Sequence, residues 1–202
     1  MQEIKDGIQT FYAKSRKAWR DWLEKNHNTE KSVWLIIYKK ETKIPSVYYP
    51  EAVDEALCFG WIDSKPNKRD DQSYYQFFAK RNPKSNWSKV NKEKVSMLME
   101  KDLMKPAGLE MIKLAKSNGK WDALNSVEDI IIPEDLQIQF HKNKVALKNW
   151  ESFSRSSKRG ILEWILNAKR AETRQKRIIE TVKLAEDNAK ANAPKRSKGA
   201  LN

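Results

Sequence analysis

The stretch from residue 56 to residue 91 constrains the fold most. It opens with Ala56-Leu57-Cys58-Phe59-Gly60-Trp61-Ile62-Asp63 and closes with Ser85-Asn86-Trp87-Ser88-Lys89-Val90-Asn91. Ala52, Val53, Ala56, Leu57 and Gly60 recur at helical spacing behind Pro50 and Glu51, which suit a first helical turn. Gly60 is placed to end that helix. Ser73 to Lys80 is rich in aromatic residues and reads as a strand. Ser88 then suits the N-cap of a helix from Lys89 to about Glu100. A helix, a strand and a second helix follow one another closely, so the strand needs a partner from elsewhere in the chain.

Ser32 to Lys39 supplies one. It reads Ser-Val-Trp-Leu-Ile-Ile-Tyr-Lys, short, β-branched and aromatic, and bounded by polar residues. The two strands suit a pair, with a short third strand near Trp61-Ile62. Asp63 to Asp71 is polar, contains Pro66, and reads as a loop or hairpin connection. Upstream, Phe11, Ala18, Trp19, Trp22 and Leu23 lie at helical spacing, with Ser15 as a cap for Arg16 to Lys25. Pro106 begins another helix, closed by Asn118-Gly119.

Beyond residue 125 the pattern is helical only. Leu136, Phe140, Ala146, Leu147 and Trp150 predict two short helices broken near Asn143. Ser156 or Ser157 can cap a helix carrying Ile161, Leu162, Ile165 and Leu166, and Thr173 begins a last one with Ile178, Ile179, Val182 and Ala185. The fold class that follows is α+β. It is predominantly helical, with a small antiparallel sheet in the N-terminal part and a helical C-terminal part. The expected domains are 1–125 and 126–190, followed by a disordered basic tail, 191–202.

Charge narrows the partners. Lys and Arg number 40 against 27 Asp and Glu, a formal net charge of +13. The excess is spread along the chain, and such a surface attracts polyanions without specifying one. A small anionic ligand or a polyanion is the expected partner; nucleic acid is allowed but not favoured. The single Cys58 excludes an internal disulfide and fits a reducing compartment. Met1 to Lys25 carries charges throughout and lacks the apolar core of a signal peptide, and no stretch is long and apolar enough for a membrane span. The expectation is a cytoplasmic protein.

Four stretches resemble the YdeI/OmpD-associated family, also called the bacteriocin-protection family. They are Val33-Trp34-Leu35 with Tyr38-Lys39-Lys40; Ala56 to Asp63; Arg81 with Lys84 to Asn91 and Pro106-Ala107-Gly108; and Ala168 to Arg174 with Arg177-Ile178. They run in the family's order over about residues 15 to 190. The resemblance implies a bacterial, cytosolic, two-part protein associated with bacteriocin resistance or envelope stress. It implies no established reaction and no catalytic residues.

The residues themselves suggest no standard catalytic or cofactor site. Cys58 lies between Leu57 and Phe59 on an apolar helix face, and His27 and His141 stand in polar surroundings, so neither a Cys-His nucleophile nor a Ser-His-Asp arrangement is indicated. One Cys and two His far apart in sequence make a poor zinc set, and the Gly residues form no phosphate-binding loop. No cofactor is expected. Asp63 is the sharper candidate. A carboxylate beside Gly60-Trp61-Ile62, with Arg81 or Lys84 arriving from the next loop, suits a small polar ligand, or a buried ion pair. With Asn86 and Trp87 these residues (Trp61, Asp63, Arg81, Lys84, Asn86, Trp87) form the candidate ligand-binding set. The ordinary alternative packs Trp87 on Trp61 in a core. Two further readings remain. Tyr74 and Phe78 exposed beside Lys80 and Arg81 would suit single-stranded nucleic acid. Asp63 in a cleft with a perturbed pKa would suit an enzyme acting on a small anion.

Overall fold

A computed structural model describes residues 3–193 and divides the chain into two compact units, Met1–Ala123 and Leu124–Asn202. The described residues form nine helices and one five-stranded sheet, and about half of the chain is helical.

The first unit begins β1 (Ile4–Lys5), β2 (Ile8–Tyr12), α1 (Arg16–Asn26), β3 (Ser32–Tyr38). Next come α2 (Tyr49–Cys58), β4 (Trp61–Lys68), β5 (Ser73–Lys80), α3 (Lys89–Glu100) and α4 (Pro106–Ser117). The sheet order is β1-β2-β3-β5-β4. β3 pairs antiparallel with β5, Trp34 opposite Phe77 and Ile36 opposite Tyr75. It pairs parallel with β2, Thr10 opposite Trp34. The sheet is therefore mixed, not antiparallel throughout. Parallel neighbours need a crossover, and α1 supplies it.

The spacing that placed Phe11 on a helix identified the right neighbours and the wrong element. Phe11 lies in β2 and meets Trp19 and Trp22 at 6.2 and 5.6 Å between ring centroids. The helix itself starts at Arg16, with the Ser15 hydroxyl accepting from the Ala18 amide. The other difference is β4, which continues to Lys68 through the expected loop. Pro66 is tolerated because β4 is an edge strand, and the register shifts between Asp63 and Pro66.

Alternation divides the sheet into two faces. Val33, Leu35, Ile37 and Phe78 are buried against α1 and α2 in the main core, with Trp19, Leu23, Ala52, Ala56, Leu57 and Trp61. The Trp19 indole donates to the Ala52 carbonyl at 3.0 Å, tying α1 to α2. Trp34, Ile36, Tyr75 and Phe77 occupy the opposite face.

Two glycines let α4 approach the end of α2. Gly60 has φ +73°, and a Cβ there would meet Met111 Cγ at 2.8 Å and the Ala107 carbonyl at 2.9 Å. A Cβ on Gly108 would lie 2.8 Å from the Leu57 oxygen and the Cys58 carbonyl carbon, and closer still to the Cys58 oxygen. The Cys58 carbonyl, left without a helical partner at the end of α2, accepts from the Lys105 amide at 3.0 Å. The Pro106-Ala107-Gly108 motif is thus the docking face of α4.

The second unit holds α5 (Asn125–Glu128), α6 (Glu134–Lys142), α7 (Lys144–Ser152), α8 (Arg155–Leu166) and α9 (Ala171–Glu186). Asn143 breaks α6 from α7 and caps α7 by accepting from the Ala146 amide. The cap of α8 is Ser154, not Ser156 or Ser157, and α9 starts at Ala171, two residues before Thr173. Leu136, Phe140, Trp150, Ile161, Leu162, Ile165 and Ile178 form the core of this unit, and Ala191 is buried with them. The rest of the expected tail, 194–202, lies outside the described residues. Among the described residues no helix is long and apolar enough to cross a membrane.

Candidate functional site

The residues singled out from the sequence gather partly around one buried cation. Arg81, just beyond β5, is only 5% exposed. Its amide donates to the Gly60 carbonyl at 2.9 Å, and its Nη2 donates to the Asn86 carbonyl at 2.6 Å. The guanidinium lies 3.9 Å from the centre of the Trp87 ring. Its Nε and Nη1 have no hydrogen-bond partner among the described residues. Burial pulls the Arg81 pKa down to about 10, opposed by the Asp63 carboxylate. Stacking on the indole offsets part of the desolvation of the charge.

The two tryptophans are closed to solvent, at 1% for Trp61 and 2% for Trp87. They do not form one pair. Trp61 meets Trp22 edge-on at 5.8 Å, and Trp87 tilts against Trp121 at 5.1 Å. Asp63 is half-buried and accepts a 2.7 Å hydrogen bond from the Tyr49 hydroxyl. Burial and then this hydrogen bond push the Tyr49 phenol up to about 12. Lys84 is exposed, and Asn86 is half-buried. An aromatic pocket bounded by Trp61 and Trp87 is therefore not open: each indole is taken up by core packing. Cys58 is fully buried, and burial followed by Glu55 pushes its thiol from 9.0 to about 11, which makes it a poor nucleophile.

A cavity of about 300 Å³ opens instead among α1, α2 and α3. Arg16 and Arg20 come from α1, Asp54 and Glu55 from α2, and Lys94, Met97 and Leu98 from α3, with Lys101, its C-cap, and Leu103 beyond it. Glu55 is 3% exposed and anchors the cluster. It accepts from Arg16 Nε at 2.5 Å and Arg20 Nη1 at 2.6 Å. Arg20 Nη2 donates to the Leu103 carbonyl at 2.8 Å. Lys94 pairs with Asp54. Four cations thus surround two carboxylates, and Arg16 and Lys101 lie on the open side, Arg16 with a side chain 40% exposed. The signal for this site was present in the sequence. Glu55 falls among Ala52, Val53, Ala56 and Leu57 on the buried face of α2, and a carboxylate there requires cations from another element. Arg16 and Arg20, four residues apart, present both from one helix face.

The face of the sheet opposite the main core carries a second aromatic group, centred on the buried Trp34. Trp34, Tyr75 and Phe77 meet at 4.8 and 6.1 Å, and the Lys5 ammonium lies 5.3 Å from Trp34 and 5.2 Å from Tyr75. Glu3 joins Arg69, at 3.0 Å, and the Tyr75 hydroxyl. Phe78 is fully buried and Tyr74 packs against the core, so the two rings whose exposure would have suited single-stranded nucleic acid lie on the covered face.

In the second unit the arginines of the Ala168 to Ile178 stretch hold helices together. Arg174 grips Asp135 with Nε at 2.6 Å and Nη2 at 2.9 Å, joining α9 to α6. That grip keeps the Asp135 carboxyl below its ordinary pKa. Arg177 donates to the Trp164 carbonyl and stacks 4.9 Å from its ring, joining α9 to α8.

These features define a two-unit α+β protein with a cation-rich cavity in the first unit and an arginine-clamped helical second unit. Residues 129–188, within the second unit, match the family model described as Bacteriocin-protection, YdeI or OmpD-Associated, the family that the sequence resembles. Residues 11–111 match a domain of unknown function, DUF8412, so the first unit also belongs to a family of its own. The Gly60 to Asp63 and Ser85 to Asn91 stretches fall within this second match. No curated protein and no solved structure matches the chain.

Proposed function

We propose that this protein, whose second unit matches the bacteriocin-protection family, is a non-catalytic, cytoplasmic binding protein that takes a small anion into the cavity among α1, α2 and α3. The observation that supports this reading is the charge arrangement. A buried Glu55 organises Arg16 and Arg20, Lys94 is engaged by Asp54, and the remaining excess of positive charge faces the opening. Cations preorganised by a buried counter-charge bind an anion without first having to be ordered. The unreactive Cys58 thiol and the engagement of Asp63 by Tyr49 support binding over catalysis.

The test is calorimetric titration with acetate, inorganic phosphate and succinate at low ionic strength. At least one should bind, and the double substitution Arg16→Gln, Lys101→Gln should abolish it while Lys84→Gln leaves it intact. Equal affinity in all three proteins would place binding elsewhere and refute the assignment.

A second reading has its own observation. Tyr75 and Phe77, both half-buried, lie beside Lys5 around a buried Trp34 on the face of the sheet opposite the main core, and partly open rings beside a cation are what single-strand binders stack on. Retention on an oligonucleotide column at low salt, falling steeply as salt rises, would support it.

A further inference from the structure

From the walls of the same cavity we infer that the ligand is an anionic amphiphile: one carboxylate or phosphate head carrying a short alkyl chain. This rests on the anion reading of the site. Lys94, Met97 and Leu98 project from one side of α3, at the three- and four-residue spacing that places side chains on one helix face, and Lys101, the C-cap of α3, follows. Two apolar groups, Met97 and Leu98, stand between the two cations. Leu103 continues the apolar wall beyond the helix.

The polar partners separate head from tail. Arg20 is spent on Glu55 and on the Leu103 carbonyl, and Lys94 on Asp54. Arg16 gives Glu55 only its Nε and keeps its terminal amino groups for another acceptor. Lys101 is exposed at the end of α3, with no ion pair among the described residues. Arg16 and Lys101 therefore receive the head. Leu98, Leu103 and Met97 receive the chain. Met97 is 51% exposed at the edge of the cavity, where its flexible apolar side chain can fold over a bound chain. The cavity of about 300 Å³ has the volume of about ten water molecules, at roughly 30 Å³ each. That suits a head group and a chain of modest length and is too small for a folded partner.

The experiment is a chain-length series by calorimetry below micelle-forming concentrations: acetate, butyrate, hexanoate, octanoate and decanoate, with inorganic phosphate and hexyl phosphate as the second arm. Affinity should tighten about fourfold for each methylene that reaches the apolar wall and then level off. The phosphate arm shows which head is preferred. Met97→Ser, at an exposed position that does not threaten folding, should flatten the series by weakening the longer chains most. Lys101→Gln should weaken every member by a similar factor.

If the short anions bind with no dependence on chain length, the amphiphile inference falls and the anion site stands. If no anion binds, both fall. A rise with chain length that neither Met97→Ser nor Lys101→Gln alters would mean adsorption elsewhere and overturns the assignment.

Discussion

Gly108→Ala isolates the contact on which the first unit is assembled. The added Cβ would meet backbone: 2.8 Å from the Leu57 oxygen and the Cys58 carbonyl carbon, and nearer to the Cys58 oxygen. No rotamer change relieves a clash with backbone. α4 must retreat from α2, which stretches the 3.0 Å bond from the Lys105 amide to Cys58. Overpacking of this kind costs about 1–3 kcal/mol, and the bond contributes about 1 kcal/mol. Alanine returns about 1 kcal/mol through its helix propensity. The net loss is about 1–3 kcal/mol, or about 3–12 °C in the midpoint of a unit of this size.

Gly160→Ala is the control. Gly160 is also inside a helix, α8, but a Cβ there meets nothing within 4 Å. It should stabilise the second unit by about 0.5–1 kcal/mol. Differential scanning calorimetry on both variants reads the two units directly. A Gly108→Ala midpoint at or above that of the wild type would show that α4 does not dock closely on α2, and the account of the Pro106-Ala107-Gly108 motif would be wrong.

Other outcomes follow from charged and buried groups. Arg174 depresses the Asp135 pKa, so the clamp's contribution is present above the ordinary carboxylate range and is lost as pH falls through the depressed value; Asp135→Asn should remove that acid-side dependence in urea unfolding of the second unit. The Cys58 pKa is raised, so its contribution is full below pH 9 and is lost between pH 9 and about 11; Cys58→Ala should lessen the alkaline fall in stability over that window. At neutral pH, Cys58 should react with a thiol reagent only at the rate at which the unit opens, and fast labelling in the native state would contradict its burial. Glu55→Gln should cost several kcal/mol, because Arg16 and Arg20 lose their shared counter-charge; a midpoint within a degree of wild type would contradict its role as anchor.

The helices with strong punctuation were legible in the sequence. Ser15 and Ser88 cap where they were expected, Gly60 ends α2, and Asn143 separates α6 from α7. β2 was not legible, because Phe11 stands seven residues before Ala18 and eight before Trp19. A strand leading into a helix put it beside the same rings that a longer helix would have. β4 was hidden by its composition: an edge strand tolerates the proline and charges that argue against an inner one.

The candidate site was legible in residue type rather than in place. Trp61, Arg81 and Trp87 are unusual because they build a buried stack, and density of special residues does not distinguish a core from an opening. Glu55 carried the better clue, one charge on an apolar helix face. It needed only the question of what would neutralise it.

The position of β3 at the centre of a mixed sheet bears on how the chain is made. One of its neighbours, β2, precedes it, but the other, β5, ends at Lys80. On a ribosome adding roughly 5–20 residues per second, the Ser-Val-Trp-Leu-Ile-Ile-Tyr segment waits a few seconds with one edge unpaired. Uncharged, β-branched and aromatic, it has the composition of an aggregation-prone segment during that interval. Chains truncated before residue 73 should therefore precipitate or recruit holding chaperones, whereas chains extended past β5 should not.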